Sequence, residues 1–409
     1  MGIRRLRVLP RPVTSKLETK LTHTDVANRI ADWMSGQTAA MTELLVDLVE
    51  AESPTTDPSS QAGPQAILRT EFEALGYDVR LLAGPDEGDA GQLLVRPKRP
   101  GRPADYQLLI GHSDTVWDVG TLDTMPVAFS DGRLHGPGSF DMKGGLVQMV
   151  FALRALSELG LEPSVAPVPF INSDEEVGSP HSERRIARLA RRADRALVIE
   201  PAASPGGALK TARKGNGSYL VTVHGKATHA GLDPGGGASA IHAAALLIDR
   251  VQALNDIDRG ISVNVGQISG GTRPNVVPAE CRFSIDFRGV TMMDLQEIVR
   301  EIEAMESPIA GTSIELNGGI ERGPLERTPD NRRLWEAARS AASALGFELQ
   351  EALVGGGSDG NLTSQYTPTL DGLGPVGDGA HAPHEHVELD LLPQRAALLA
   401  LLLLEPPLK

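Results

Sequence analysis

The chain has 409 residues, 41% of them hydrophobic, with 39 basic and 53 acidic residues and a formal charge of −14. That length and apolar content allow two domains with separate cores and exclude a disordered or fibrous chain. The acidic balance excludes a general polyanion binder, so nucleic acid is not expected as a partner.

The N-terminus carries Arg4, Arg5 and Arg7, but Pro10, Arg11 and Pro12 follow where a signal peptide needs an apolar run, so it reads as a loose arm. Residues 44–50 read as part of an amphipathic helix. From there to about residue 200, apolar runs at 93–95, 107–110, 165–171 and 196–199 alternate with helical stretches, the clearest at 145–159 after a glycine-rich loop. That alternation predicts an α/β fold, a mainly parallel doubly wound sheet with helices on both faces. Near Lys210 the pattern changes. Residues 218–223 alternate as a strand, 238–254 are helical, 261–267 and 282–287 alternate again, 295–305 are helical and 313–316 form a last strand. This βαββαβ order is that of a small ferredoxin-like α+β sandwich. A second domain at 212–324 is therefore expected, inserted into a discontinuous first domain formed by 1–211 and 325–409. The return segment carries a helix at 332–345, a strand at 348–353 and a final helix. Its apolar run 396–404 is about half the ~20 residues a membrane span requires, so it reads as a core helix. No membrane partner is expected, and a cytoplasmic location follows. Cys281 is the only cysteine, which rules out an intrachain disulfide and zinc-thiolate chemistry.

In a doubly wound sheet, ligands bind beyond the carboxyl ends of the strands. Polar residues fall there in several places: His112 and Asp114 after 107–110, Asp174, Glu175 and Glu176 after 165–171, and Glu200 after 196–199. Asp141 lies in the loop before helix 145–159, and His381 follows Gly379 and Ala380 before the last helix. Singly, each has a plain reading as a surface pair, a solvated helix start or a cap. Together, several carboxylates at one sheet edge repel and desolvate one another unless cations neutralise them. Imidazole nitrogen with carboxylate oxygen, without sulfur, suits a hydrolytic zinc site and suits magnesium less well. Asp114 is placed to accept the other imidazole N–H of His112. Glu175 and Glu176 cannot point the same way, which leaves one to bind metal and the other to face bound water as a general base.

Five segments, GHSDTV at 111–116, GPGSFDMKGG at 136–145, NSDEEVGS at 172–179, Glu200-Pro201 and Gly379-Ala380-His381, resemble in order those of the M20 metallopeptidases, in particular the glutamate carboxypeptidase (carboxypeptidase G2-like) branch. The resemblance implies two divalent metal ions, zinc first, with cobalt or manganese as alternatives. Asp141 would bridge them, His112 and Glu200 would complete one site, and Glu176 and His381 the other. Glu175 would be the base, and the peptide after Asp141 would be cis. His384 and His386 also lie near, but His381 has the family's spacing to Glu385.

The resemblance extends to the inserted domain as a lid and homodimer interface. His229, in GKATHAG at 225–231, would reach the partner's active site, while Asn275 and Arg288 would hold the substrate, Arg288 by paired hydrogen bonds to its terminal carboxylate. Gly356, Gly357 and Ser358 would form a substrate loop. No role is assigned to Lys210, Arg213, His224 or His242. Pro324 after Arg322-Gly323 departs from members that read a glutamate side chain with a further arginine. The implied activity is hydrolysis of an amide beside a free carboxylate, releasing a C-terminal amino acid from a small peptide or N-acyl amino acid. An aminoacylase or desuccinylase is the neighbouring alternative, and a non-catalytic binding protein the alternative from another class. A nucleotide-binding reading fails, because Gly136-Pro137-Gly138 lacks the fingerprint's later glycine and ribose-binding acid.

Overall fold

The computed structural model describes residues 22–84, 88–98 and 106–408, so the arginine-rich N-terminal arm lies outside the described residues. Its centre is a six-stranded sheet in the spatial order Tyr77–Leu82, Gln92–Pro97, Ala166–Asn172, Tyr106–His112, Arg195–Val198, Thr369–Leu370. The last four strands are parallel, and the first two join as an antiparallel hairpin. Ala166–Asn172 and Tyr106–His112 are buried along their whole length, as expected of strands covered on both faces.

The alternation of these strands makes two cores. Leu93, Leu109, Ile171 and Leu197 face a thick layer of helices, in which Leu392–Leu404 packs against His23–Ser35, Thr38–Glu50, Gly144–Glu158 and Pro329–Ala344. The apolar run near the C-terminus is thus a buried core helix, and no described helix is long and apolar enough to cross a membrane. Leu94, Leu108, Ile110, Val168 and Val198 face the other way. That face is covered by two short helices, Glu183–Ala190 and Asp359–Ser364.

The chain leaves and rejoins this body beside a backbone bridge between Arg213 and Leu325. Between them runs a four-stranded antiparallel sheet in the order Ser262–Gly270, Glu280–Gly289, Gly215–His224, Ser313–Arg322. Helices Ala240–Gln252 and Met292–Glu303 pack on it around Tyr219, Phe283, Ile285 and Phe287, a core separate from the other two. The element order is the βαββαβ expected.

Two smaller sheets position the site. Leu209–Arg213 pairs in parallel with Glu351–Val354, which delivers the glycines at 355–357 beside Arg213. Gly377–Asp378, His386–Glu388, Arg133–His135 and Ala128–Ser130 form a ribbon whose first turn carries His381. At the end of Arg195–Val198 the packing admits no side chain at two points. A Cβ on Gly145 or on Gly374 would lie 2.2 Å from the carbonyl oxygen of Ile199. Glycine there lets a helix start and a turn close on the backbone next to Glu200.

Candidate metal centre

The parallel strands end together, and their ends bring His112, Asp174 to Glu176 and Glu200 to one edge of the sheet. Asp141 enters from 139–143, where its own φ/ψ and those of Met142 are non-helical and the Asp141–Met142 peptide is cis, as the resemblance implied. His381 enters from the opposite side with φ of 61°, a left-handed conformation uncommon for a residue with a Cβ.

Two clusters result, His112/Asp141/Glu200 and Asp141/Glu176/His381, each with its ligand atoms within 4.8 Å of one another. Asp141 offers one oxygen to each. Its Oδ1 lies 3.3 Å from His112 Nε2, and its Oδ2 lies 3.5 Å from His381 Nε2. His112 Nε2 is 3.5 Å from Glu200 Oε1, and His381 Nε2 is 3.0 Å from Glu176 Oε2. A tetrahedral ion with bonds of about 2.0–2.1 Å requires ligand atoms roughly 3.3–3.4 Å apart. The observed spacings bracket that edge length, so the residues present fit two divalent cations. Glu176 Oε1 is buried without a hydrogen-bond partner, an acceptor that a cation would satisfy. His381, rather than His384 or His386, is the histidine at the cluster; the His386 ring bonds the carbonyl of His384 and packs against His135.

The electrostatics agree with a cation site. Burial, and then the neighbouring Glu200, push the Glu175 carboxyl well above its ordinary range; burial pushes Glu176 up to about 7. Burial also acts to raise Asp141, but hydrogen bonds with His112 and His381 hold it far below the usual carboxylate range. His381 is pushed up to about 10 by its bonds to Asp141 and Glu176. Burial opposes protonation of His112, yet its three carboxylate neighbours hold it well above an ordinary imidazole. The protonated imidazoles supply the counter-charge that divalent cations would supply in their place.

The surrounding contacts contain findings the sequence did not give. His112 Nδ1 bonds the backbone oxygen of Asp114 at 2.9 Å, with the carboxylate Oδ1 farther at 3.4 Å. The Asp114 carboxylate instead accepts from Thr55 Oγ1 at 2.7 Å and from the backbone N–H of Glu175 and Glu176. It therefore fixes the loop that presents both glutamates as much as it orients the imidazole. Glu385, fully buried, accepts from the N–H groups of Gly138, Phe140 and Asp141 and from Trp117 Nε1, all within 2.8–3.0 Å. Arg213, assigned no role from the sequence, lies inside the protein beside the site. It is buried, donates to Asp371 and to the carbonyls of Gly356 and Gly357, and lies 3.6 Å from Glu200. Arg322, at the end of strand Ser313–Arg322, bonds the Gly178 carbonyl and lies 3.8 Å from Glu175. A buried arginine and a buried glutamate are the signals that could have found Arg213 and Glu385, but sequence does not display burial.

The remaining expected residues lie apart from the clusters. Arg288 contacts Asp286 and donates to the Gly355 carbonyl at 3.0 Å, so it reaches the glycine-rich loop. His229 is exposed; its Nδ1 accepts from Gly231 and Leu232, and it bridges to Val276. Asn275 is exposed beside it, its carbonyl bonded by the Ala230 N–H. The Ser358 hydroxyl is committed elsewhere. It caps helix Asp359–Ser364 in a capping box with Asn361 and donates to Asp371 at 2.6 Å, because the helix start needs its first N–H groups satisfied.

The likeness to known proteins follows this geometry. Carboxypeptidase G2 of Pseudomonas sp. (strain RS-16) is 27% identical over 90% of this chain and 89% of its own length. A succinyl-diaminopimelate desuccinylase of Cupriavidus taiwanensis is 29% identical over 86% of this chain and 94% of its own. The crystal structure of the aminopeptidase PepT from Bacillus cereus superposes with a TM-score of 0.75 at 23% identity, covering 90% of this chain and 98% of that one. The model of Peptidase family M20/M25/M40 matches residues 108–405, and the chain belongs to that family of metal-dependent peptidases and amidohydrolases.

Proposed function

We propose that this enzyme is a carboxypeptidase that hydrolyses the amide bond beside a free carboxylate and releases a C-terminal amino acid. The observation that carries the reading is Asp141, whose two oxygens are divided between two histidine–carboxylate clusters with Glu175 alongside. His112, Asp141 and Glu200 would hold one divalent ion and Asp141, Glu176 and His381 the other, with zinc as the metal and cobalt or manganese as substitutes. When bound, the ions polarise the scissile carbonyl, acidify the attacking water and offset the oxyanion charge.

The chain's own groups do the rest. Glu175 takes a proton from the attacking water and delivers it to the leaving nitrogen. Asp114 and Glu385 hold the two loops that present Glu175, Glu176 and Asp141. Arg288 and Asn275 receive the substrate carboxylate, and the loop at Gly356 and Gly357 lies along the substrate, with Ser358 anchoring its end. Residues 212–324 act as a lid and as the contact surface of a cytoplasmic homodimer, in which His229 serves the partner's site. Substrates are small peptides or N-acyl amino acids.

Glu175→Gln should lower kcat by roughly 10²–10⁴-fold while bound metal, measured by emission spectroscopy, is retained. A fully active variant sinks the mechanism. A second reading, amidohydrolysis of N-acyl amino acids, is favoured by the likeness to the desuccinylase. Peptidyl and N-acyl substrates assayed in parallel with zinc, cobalt and manganese separate the two.

A further inference from the structure

The second face of the central sheet is covered unevenly. Helices Glu183–Ala190 and Asp359–Ser364 lie over the parallel strands, and toward the hairpin Tyr77–Leu82/Gln92–Pro97 a cavity of ≈ 300 Å³ remains open. Its floor is apolar. Leu82, Leu94, Val168 and Tyr106, from four different strands, point to this one face by strand alternation, and Leu189 closes one wall. The Tyr106 hydroxyl is turned away to the carbonyl of Leu189 at 2.7 Å.

The rim is five arginines: Arg80, Arg96, Arg185, Arg188 and Arg192. Among the described residues no lining residue is acidic, in a chain with 53 acidic against 39 basic residues. Arg80 pairs with Asp78 at 2.9 Å, and Arg185 donates to the neutral Gln92. The guanidinium groups of Arg96, Arg188 and Arg192 have no hydrogen-bond or ion-pair partner among the described residues. Like charges gathered around an apolar basin are relieved by an anion, and planar guanidinium groups match a carboxylate in paired fashion.

We propose that this cavity is a binding site for a small anionic amphiphile, a free monocarboxylate whose apolar body lies on Leu94, Val168 and Tyr106 and whose carboxylate meets Arg96 and Arg192. The volume is at the lower end of small-molecule sites, about 300–1,000 Å³, which suits a chain of medium length. An apolar floor has no use for a bare inorganic anion, and the arginines have none for a neutral lipid. The site stands on the opposite side of the sheet's residues from the helix Gly144–Glu158 and is independent of the proposed hydrolysis.

The test is calorimetric titration of the full chain with octanoate, octanamide and inorganic phosphate. Arg96→Gln/Arg192→Gln is the test variant; Arg184→Gln, on the helix Glu183–Ala190 that precedes Arg192 and outside the cavity, is the control. The substitutions, at half-buried Arg96 and exposed Arg192, are expected to leave the unfolding temperature and turnover unchanged. Octanoate should bind the wild type and the control saturably, the double variant at least 10-fold more weakly, and octanamide and phosphate at least 10-fold more weakly than octanoate on the wild type. Absence of saturable octanoate binding, equal binding by the double variant, or phosphate binding as tight as octanoate overturns the proposal.

Discussion

Replacing Arg213 by methionine removes one cation from between two buried carboxylates. Its Nε lies 2.7 Å from Asp371 and its Nη2 3.6 Å from Glu200, and at an effective dielectric of about 20 these attractions are about 6 and 5 kcal/mol. Most of that is offset by the cost of burying the guanidinium. What truncation exposes is the stranded charge, which typically costs about 3–5 kcal/mol. The lower end applies, because Asp371 keeps the Ser358 hydroxyl at 2.6 Å and the Gly372 N–H. With an unfolding entropy of about 2.1 cal/mol/K for each of 409 residues, a loss of about 3 kcal/mol lowers Tm by about 3–4 °C. Thermal and urea unfolding of chelator-treated protein measure it. Zinc should shrink the deficit, since a bound cation neutralises Glu200 and leaves only Asp371 uncompensated. The loop carbonyls of Gly356 and Gly357 also lose their donor, so KM should rise in the loaded enzyme. Arg213→Lys keeps the charge but cannot span Asp371, Glu200 and the loop at once, and should fall between. A metal-free methionine variant within about 0.5 kcal/mol of wild type would refute the reasoning.

Glu385→Gln offers one acceptor oxygen where the carboxylate offers two, so bonds from Gly138, Phe140, Asp141 and Trp117 cannot all persist. Metal affinity or turnover should drop about 10–100-fold, read by metal analysis beside kinetics. Arg288→Ala should raise KM about 10–100-fold for substrates ending in a free carboxylate and leave the corresponding amides unaffected, which a matched substrate pair checks. Burial and the bond to Glu303 push the Tyr219 phenol up to about 12. Between pH 10 and 12 the folded chain keeps a proton that the unfolded chain releases, so stability falls as pH rises through that window, by no more than about 2.7 kcal/mol. Tyr219→Phe should flatten alkaline unfolding there; an unchanged pH profile counts against it.

The parallel strands were legible because burial on both faces writes continuous apolar runs, and 107–110 and 165–171 differ from the observed Tyr106–His112 and Ala166–Asn172 only at their ends. The inserted sandwich was legible for the opposite reason. Gly215–His224 and Glu280–Gly289 alternate buried and less buried residues, and strict alternation is hard to misread. Tyr77–Leu82 escaped because it is a half-exposed edge strand carrying Asp78 and Arg80, where nothing demands an apolar run. The ribbon around His381 escaped because strands of two or three residues have no period to detect.

The site divides in the same way. His112, Asp141, Glu176, Glu200 and His381 were visible because coordinating cations restricts residue type, and few side chains offer the right atoms. The groups that hold them in place were not, because a hydrogen bond from a backbone N–H or to a carbonyl leaves no mark on the sequence of its partner. Glu385 gathers three N–H groups from a loop nearly 250 positions earlier in the chain, and Arg213 joins strand Leu209–Arg213 to carbonyls at 356 and 357. Both are charged residues buried far from water, Glu385 with both oxygens hydrogen-bonded and Arg213 bonded through Nε and Nη1 while its Nη2 faces the Glu200 carboxylate. Such residues hold the geometry that the ligand motif needs, and a motif transplanted without them would keep its letters and lose its spacing.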